Sequence, residues 1–186
     1  MPSRDYKSIL RCYVTDRKSG DVIGAVRHAV DSGVDMIQIR ENDLTGVALL
    51  ELLSEVVDLT SQSATRILVN DRLDVAIAAG VCGVHLPVAG LPIAKVITLV
   101  KLLGVSTHTL EEAITAENEG ADFIVFGPIF QTPGKTSIGT GPLTTVCSAL
   151  TIPVLAIGGI DKTNIPLVME AGAAGIAAIR MFQEQT

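Results

Sequence analysis

The stretch Glu119-Gly120-Ala121-Asp122-Phe123-Ile124-Val125-Phe126 sets a glycine and two further residues ahead of a short apolar run. The same order recurs at Ser32-Gly33-Val34-Asp35-Met36-Ile37-Gln38-Ile39, Ala79-Gly80-Val81-Cys82-Gly83-Val84-His85-Leu86 and Ala171-Gly172-Ala173-Ala174-Gly175-Ile176-Ala177-Ala178. Each glycine follows a helix-like segment, where a residue with positive φ is least costly as glycine. Each apolar run is short enough to be a buried strand. The reading is helix, glycine turn and strand, four times over. Successive glycines lie 47, 40 and 52 residues apart, which leaves room for about two βα units in each interval. The remaining strands fall at Cys12 to Thr15, Ile67 to Asn70, Leu102 to Ser106 and Val154 to Ile157, with helical patterns at 20–31, 45–62, 73–79, 92–100, 110–119, 142–150 and 163–171. Eight strands alternating with helices predict an α/β chain closing as a (β/α)₈ TIM barrel. An open Rossmann-type sheet is the alternative, but no G-x-G-x-x-G fingerprint follows the first strand.

Composition agrees. The chain has 186 residues, read as one domain spanning 1–186. Hydrophobic residues make up 48%, charged residues 18% and aromatic residues only 3%, an aliphatic balance expected of parallel strands covered by helices. A formal charge of −6 provides no phosphate-neutralising field, so no nucleic-acid partner is expected. No apolar run reaches the roughly 18 residues of a membrane span, and the N-terminal residues show no signal-peptide pattern, so a cytoplasmic protein without a membrane partner is expected. Cys12, Cys82 and Cys147 are odd in number and widely spaced, and read as buried free thiols.

The barrel is compact beside the roughly 250 residues typical of the fold. After the eighth strand, residues 181–186 supply too little chain for a full helix, so the final helix is expected to be truncated. An uncovered strip beside strand 8 predicts a homodimer burying Met181 and Phe182, or else a cover formed by residues 1–10 through Tyr6, Ile9 and Leu10. Two helix starts are legible: Thr109-Leu110-Glu111-Glu112 as a capping box, and Pro166 in a first turn.

Chemistry in such barrels sits at the C-terminal strand ends. The polar residues there include Asp16, Gln38, Arg40, Asn70, Asp71, His85, Ser106, His108, Thr132, Lys135, Gly158, Gly159 and Arg180. Cations and glycine-rich turns converge at one end of an acidic chain, which points to an anionic ligand. Gly158-Gly159, ending strand 7, occupies the place where these barrels commonly bind phosphate. Arg40, on an otherwise apolar strand, calls for an anionic partner, and adjacent Glu41 should face the other way. Asp71 reads either as a metal ligand or as a helix cap, and His85 as a hydrogen-bonded core histidine or a catalytic one. The role of His108 is open in the same way.

In order along the chain, Tyr13-Val14-Thr15-Asp16, Gln38-Ile39-Arg40-Glu41, Asn70-Asp71-Arg72-Leu73-Asp74, Gly83-Val84-His85-Leu86, Gly104-Val105-Ser106-Thr107-His108-Thr109, Gly127-Pro128-Ile129-Phe130 with Thr132 and Lys135, and Ala156-Ile157-Gly158-Gly159-Ile160 resemble the thiamine phosphate synthase and TenI family. The resemblance spans nearly the whole chain and implies a (β/α)₈ transferase. Its reaction joins hydroxymethylpyrimidine diphosphate to thiazole phosphate and releases pyrophosphate with Mg²⁺. Carried over by position, it implies Gln38 and Ser106 at the pyrimidine, Arg40, Asn70 and Lys135 at the diphosphate, and Asp71 on Mg²⁺. Thr132, Gly158, Gly159 and the backbone of Ile179 and Arg180 would hold the thiazole phosphate. Arg40, Lys135 and Ser106 are the implied catalytic residues. Asn42 stands where the family pattern has lysine, Pro87-Val88-Ala89-Gly90 lacks the second metal carboxylate, and Gly134 and Arg180 replace a threonine and a serine. The same resemblance leaves two other activities open. One is a TenI-like thiazole tautomerase, whose histidine position is Pro128 here, and the other is a non-catalytic binder of thiazole phosphate or thiamine phosphate.

Overall fold

The computed structural model describes residues 9–183. Eight parallel strands, β1 (Leu10–Val14), β2 (Met36–Ile39), β3 (Arg66–Asn70), β4 (Gly83–Leu86), β5 (Leu102–Thr107), β6 (Phe123–Phe126), β7 (Val154–Ile157) and β8 (Gly175–Ala178), pair in chain order. β8 returns to β1 with Cys12 opposite Ala177, which closes the TIM barrel. The strands alternate with α1 (Val22–Asp31), α2 (Gly46–Thr60), α3 (Leu73–Ala79), α4 (Ile93–Val96), α5 (Leu110–Asn118), α6 (Thr140–Ala149), α7 (Ile165–Glu170) and α8 (Arg180–Gln183). None of the described helices is long and apolar enough to cross a membrane.

The repeat works as expected. Gly33, Gly80, Gly120 and Gly172 all have positive φ. The next residue of each donates its N–H to a carbonyl five positions back: Val34 to Ala29, Val81 to Ala76, Ala121 to Ala116 and Ala173 to Val168. These are Schellman closures, in which a left-handed residue lets the chain satisfy helix-end carbonyls and turn directly into a strand. The aspartate two residues after the glycine does further work in two copies. Asp35 accepts the Arg11 N–H at 2.8 Å and Asp122 the Leu103 N–H at 2.7 Å, each tying a strand start to its neighbour.

Period-two alternation divides the strand residues between two cores. Cys12, Val14, Met36, Leu68, Phe123, Val125 and Leu155 fill the barrel interior, while Tyr13, Ile37, Val69, Val84, Leu103, Ile124 and Ile176 face the helices. Continuing that alternation puts Gln38, Asn70, His85 and Ser106 on the inner face at the C-terminal end. All three cysteines are free, and burial pushes the Cys12 thiol up to about 12. The capping box at Thr109 and Glu112 is present, as is Pro166 in the first turn of α7.

One expectation needs correction. The helical pattern at 92–100 yields only the single turn α4, because the chain must turn back within a few residues for Lys101 N–H to reach the Cys82 carbonyl and start β5. Beside β8 the chain supplies part of the cover itself, with Met181 only partly buried. Phe182, in the short α8, is buried within its own chain against Tyr13, with ring centroids 5.8 Å apart. Gln183 Nε2 donates to the Asp16 carbonyl at 2.9 Å and holds α8 there. Of the residues named for the alternative cover, Ile9 is buried, Leu10 packs with the barrel interior, and Tyr6 lies outside the described residues.

Candidate functional site

Three groups of side chains meet at the C-terminal end of the barrel. The first spans β2 and β3. Gln38 is buried, and its Nε2 donates to Asn70 Oδ1 at 3.0 Å, while Asn70 Nδ2 donates to Asn42 Oδ1 at 3.2 Å. The second spans β4 and β5, where His85 Nε2 lies 2.8 Å from Ser106 Oγ. Burial, with a smaller contribution from the Arg40 charge, pushes the His85 pKa down to about 4, so the ring is neutral near pH 7. His85 is thus a buried, hydrogen-bonded histidine in contact with Ser106. His108 turns its Nδ1 to the Gly127 carbonyl, and its N–H donates to Glu112 ahead of α5.

The third group surrounds a cavity of about 310 Å³ lined by Asp16, Ser19, Thr132, Gly158, Gly159, Ile179 and Arg180, among others. Gly158 and Gly159 have φ of 97° and 63°. A Cβ on Gly158 would meet Pro128 Cβ at 2.5 Å, and one on Gly159 would meet the Gln131 carbonyl at 2.7 Å. Only glycine fits either position. Thr132 Oγ1 is buried without a hydrogen-bond partner among the described residues. An orphaned hydroxyl beside a glycine turn is a place prepared for a polar ligand.

The remaining candidates sit farther out. Arg40 is exposed; its backbone N–H donates to Thr15 Oγ1 at 2.9 Å, and its guanidinium forms no ion pair with a described residue. As the alternation required, Glu41 turns away from it and is buried, accepting the Arg17 backbone N–H. Lys135 is exposed at the end of a tight turn that pairs it with Thr132, and it is not among the residues lining the 310 Å³ cavity. A cleft of about 330 Å³ also opens between α4 and α5, but of the expected site residues only Ser106 lines it.

Asp71 does not cap α3: the cap position is Arg72, with no side-chain cap bond. Asp71 instead adopts a left-handed φ of 56° and donates its N–H to the His85 carbonyl, and its carboxylate has no hydrogen bond or ion pair among the described residues. That conformation is uncommon outside glycine, and an aspartate tolerates it best among charged residues. No group of three or more His, Cys, Asp or Glu side chains suited to a metal exists among the described residues. The donor set nevertheless fits Mg²⁺ in one limited sense. This ion keeps several waters and binds through one or two carboxylates plus substrate phosphates.

The family described as thiamine monophosphate synthase matches residues 11–182. This chain belongs to that family. A putative thiamine-phosphate synthase of Geobacter sulfurreducens is 42% identical over 176 residues, covering 89% of this chain and 83% of its own length. A putative thiamine-phosphate synthase 2 of Aquifex aeolicus is 40% identical, covering 92% and 96%. Among solved structures, a thiamine phosphate pyrophosphorylase from Pyrococcus furiosus superimposes with a TM-score of 0.86 at 34% identity, covering 92% of this chain and 86% of that one. Within this thiamine monophosphate synthase family member, sequence reasoning missed the part played by Arg17. Its guanidinium pairs with Asp43 at 2.6 Å while its N–H meets Glu41, so the β1 loop clamps the turn that carries Asn42. No local pattern announces a contact across 26 residues. Ser19, which follows on the short 3₁₀ turn Arg17–Ser19 and lines the 310 Å³ cavity, is likewise announced by no local pattern.

Proposed function

We propose that this family member is a thiamine phosphate synthase, a transferase that joins hydroxymethylpyrimidine diphosphate to thiazole phosphate and releases pyrophosphate. The observation that carries the reading is the pairing of two polar subsites at one barrel mouth. One is the Gln38-Asn70 side; the other is the Thr132-Gly158-Gly159 cavity, whose buried hydroxyl has no partner among the described residues. A reaction between two phosphorylated substrates needs both.

On this reading Gln38 and Ser106 hold the pyrimidine, the latter oriented by neutral His85. Asn70, Arg40 and Lys135 take the diphosphate. Thr132, the Gly158 and Gly159 turn and the backbone at Ile179 and Arg180 take the thiazole phosphate. A leaving diphosphate gathers negative charge as its bond breaks, and fixed cations are most useful where that charge develops. Arg40 is suited to this because no carboxylate among the described residues already neutralises it. Asp71 would hold Mg²⁺ together with the diphosphate, and the ion then supplies positive charge to the leaving group.

The test supplies purified protein with both substrates and Mg²⁺. Pyrophosphate should appear in step with thiamine phosphate, and only when both substrates are present. Conversion of a thiazole carboxylate tautomer alone would replace this reading with a tautomerase. Binding of the phosphorylated ligands without turnover would replace it with a non-catalytic binder.

A further inference from the structure

The helix layer opens beside α4. That helix is a single turn, Ile93–Val96, and a cleft of about 330 Å³ lies between it and α5. The cleft is on the outer side of the barrel wall. Leu86 and Val105, which line it, belong to the same core as Val84 and Leu103 and face the helices, whereas neighbouring His85 and Ser106 alternate to the inside. Of the residues assigned to the synthase site, only Ser106 borders both.

The lining combines three kinds of group. Leu86, Ile93 and Val105 form apolar walls. Thr107 continues the outward alternation from Val105, lines the cleft and is 1% exposed, and its Oγ1 has no hydrogen-bond partner among the described residues. A buried hydroxyl left unpaired costs free energy that a bound partner would recover. Every ionisable side chain lining the cleft is acidic: Glu111, Glu112 and Glu119. Glu112 is engaged by the N–H groups of His108 and Thr109 at the head of α5. Glu111 and Glu119 are exposed and form no ion pair with a described residue. They lie eight residues apart, two helical turns along one face of α5.

We propose that this cleft is a second small-molecule site, outside the barrel, for an amphipathic cation. Its apolar body rests on Leu86, Ile93 and Val105, a hydrogen-bonding group meets Thr107, and an ammonium lies at Glu111 and Glu119. Charge selects this occupant. A phosphorylated ligand is repelled by the carboxylates, and a second copy docked across a two-fold axis would set them against their own images. The volume, at the low end of the roughly 300 to 1,000 Å³ of small-molecule sites, suits one compact molecule.

The experiment is an NMR titration of the full chain with three probes of similar size: tyramine, phenethylamine, which lacks the hydroxyl, and 3-(4-hydroxyphenyl)propanoate, which reverses the charge. Tyramine should shift the amides of residues 87–93 and α5. It should bind about fivefold more tightly than phenethylamine, the worth of one hydrogen bond, and about fivefold more tightly than the carboxylate. Thr107→Val keeps the shape and removes the unpaired hydroxyl, so the two amines should bind equally while the melting temperature stays level or rises. Glu111→Gln with Glu119→Gln, both changes at exposed positions, should erase the preference for the amine over the carboxylate. Shifts confined to the barrel mouth, equal affinity for tyramine and the carboxylate, or a Val variant that still prefers tyramine would each overturn the proposal. So would sedimentation showing a dimer that the paired Gln substitutions strengthen, because a second copy would then cover the cleft.

Discussion

Acidification should destabilise this protein through His85 in a window set by burial. The ring is 2% exposed, lies 6.0 Å from the Phe123 ring and has its Nε2 at Ser106 Oγ. Burial first, and the Arg40 charge second, push its pKa from 6.5 to about 4. Between those values the unfolded chain binds a proton that the folded chain refuses, so stability rises with pH across the window. It is fully present above about pH 6.5, falls as pH drops toward 4, and changes no further below that on this account. Roughly two and a half pH units at about 1.4 kcal/mol each set the loss at about 3 kcal/mol. Urea unfolding of the unaltered protein and of His85→Asn, at about pH 7.5, 5.5 and 4, isolates the contribution. Exposed carboxylates also lose stability on acidification, among them Asp43 held low by Arg17 and Asp74 held low by Arg72. Those are common to both proteins and cancel in the difference. The variant's profile should be flatter by about 3 kcal/mol over the range, and parallel profiles would refute the argument.

Three substitutions probe the site and one probes the closure of the barrel. Arg40→Ala should weaken phosphate-bearing ligands by about 1.5 to 3 kcal/mol, the scale of a charge-assisted hydrogen bond, with little change in unfolding because the side chain has no described ion pair. Unchanged calorimetric affinity would remove it from the diphosphate site. Gly158→Ala forces a Cβ against Pro128 at a φ of 97°, so thiazole phosphate binding and thermal stability should fall together, with about 2 kcal/mol or more lost on unfolding. Gly90→Asp places its Cβ 3.2 Å from Asp71 Oδ1, tight against Pro87. Mg²⁺-dependent turnover should rise, and its failure to do so would sink the account of a missing second carboxylate. Phe182→Ala should cost about 3 kcal/mol, independent of protein concentration, because the ring is buried within its own chain. A loss that grows on dilution would instead place a second copy over that strip.

What the sequence by itself determined is the local grammar of this chain. Gly33, Gly80, Gly120 and Gly172 each take the positive φ that their position after a helix demands, and Thr109 with Glu112 caps α5. Such features depend on residues within about five positions, so a linear reading captures them. The strand pattern likewise placed Gln38, Asn70, His85 and Ser106 at C-terminal strand ends, whereas their sharing one inner face followed from the closed barrel. Helix length was less legible. The pattern at 92–100 is interrupted after Val96 because the following chain must reach Cys82. Only the tertiary structure decided which polar groups meet. Arg17 finds Glu41 and Asp43, Asn42 finds Asn70, and Phe182 finds Tyr13 because barrel closure sets β1 between β2 and β8. It also left Thr132 Oγ1 buried without a partner, and Asp71 and Arg40 exposed and without an ion partner among the described residues. Those outcomes depend on register and closure, which exist only once all eight strands have paired, and no short stretch of sequence carries that information.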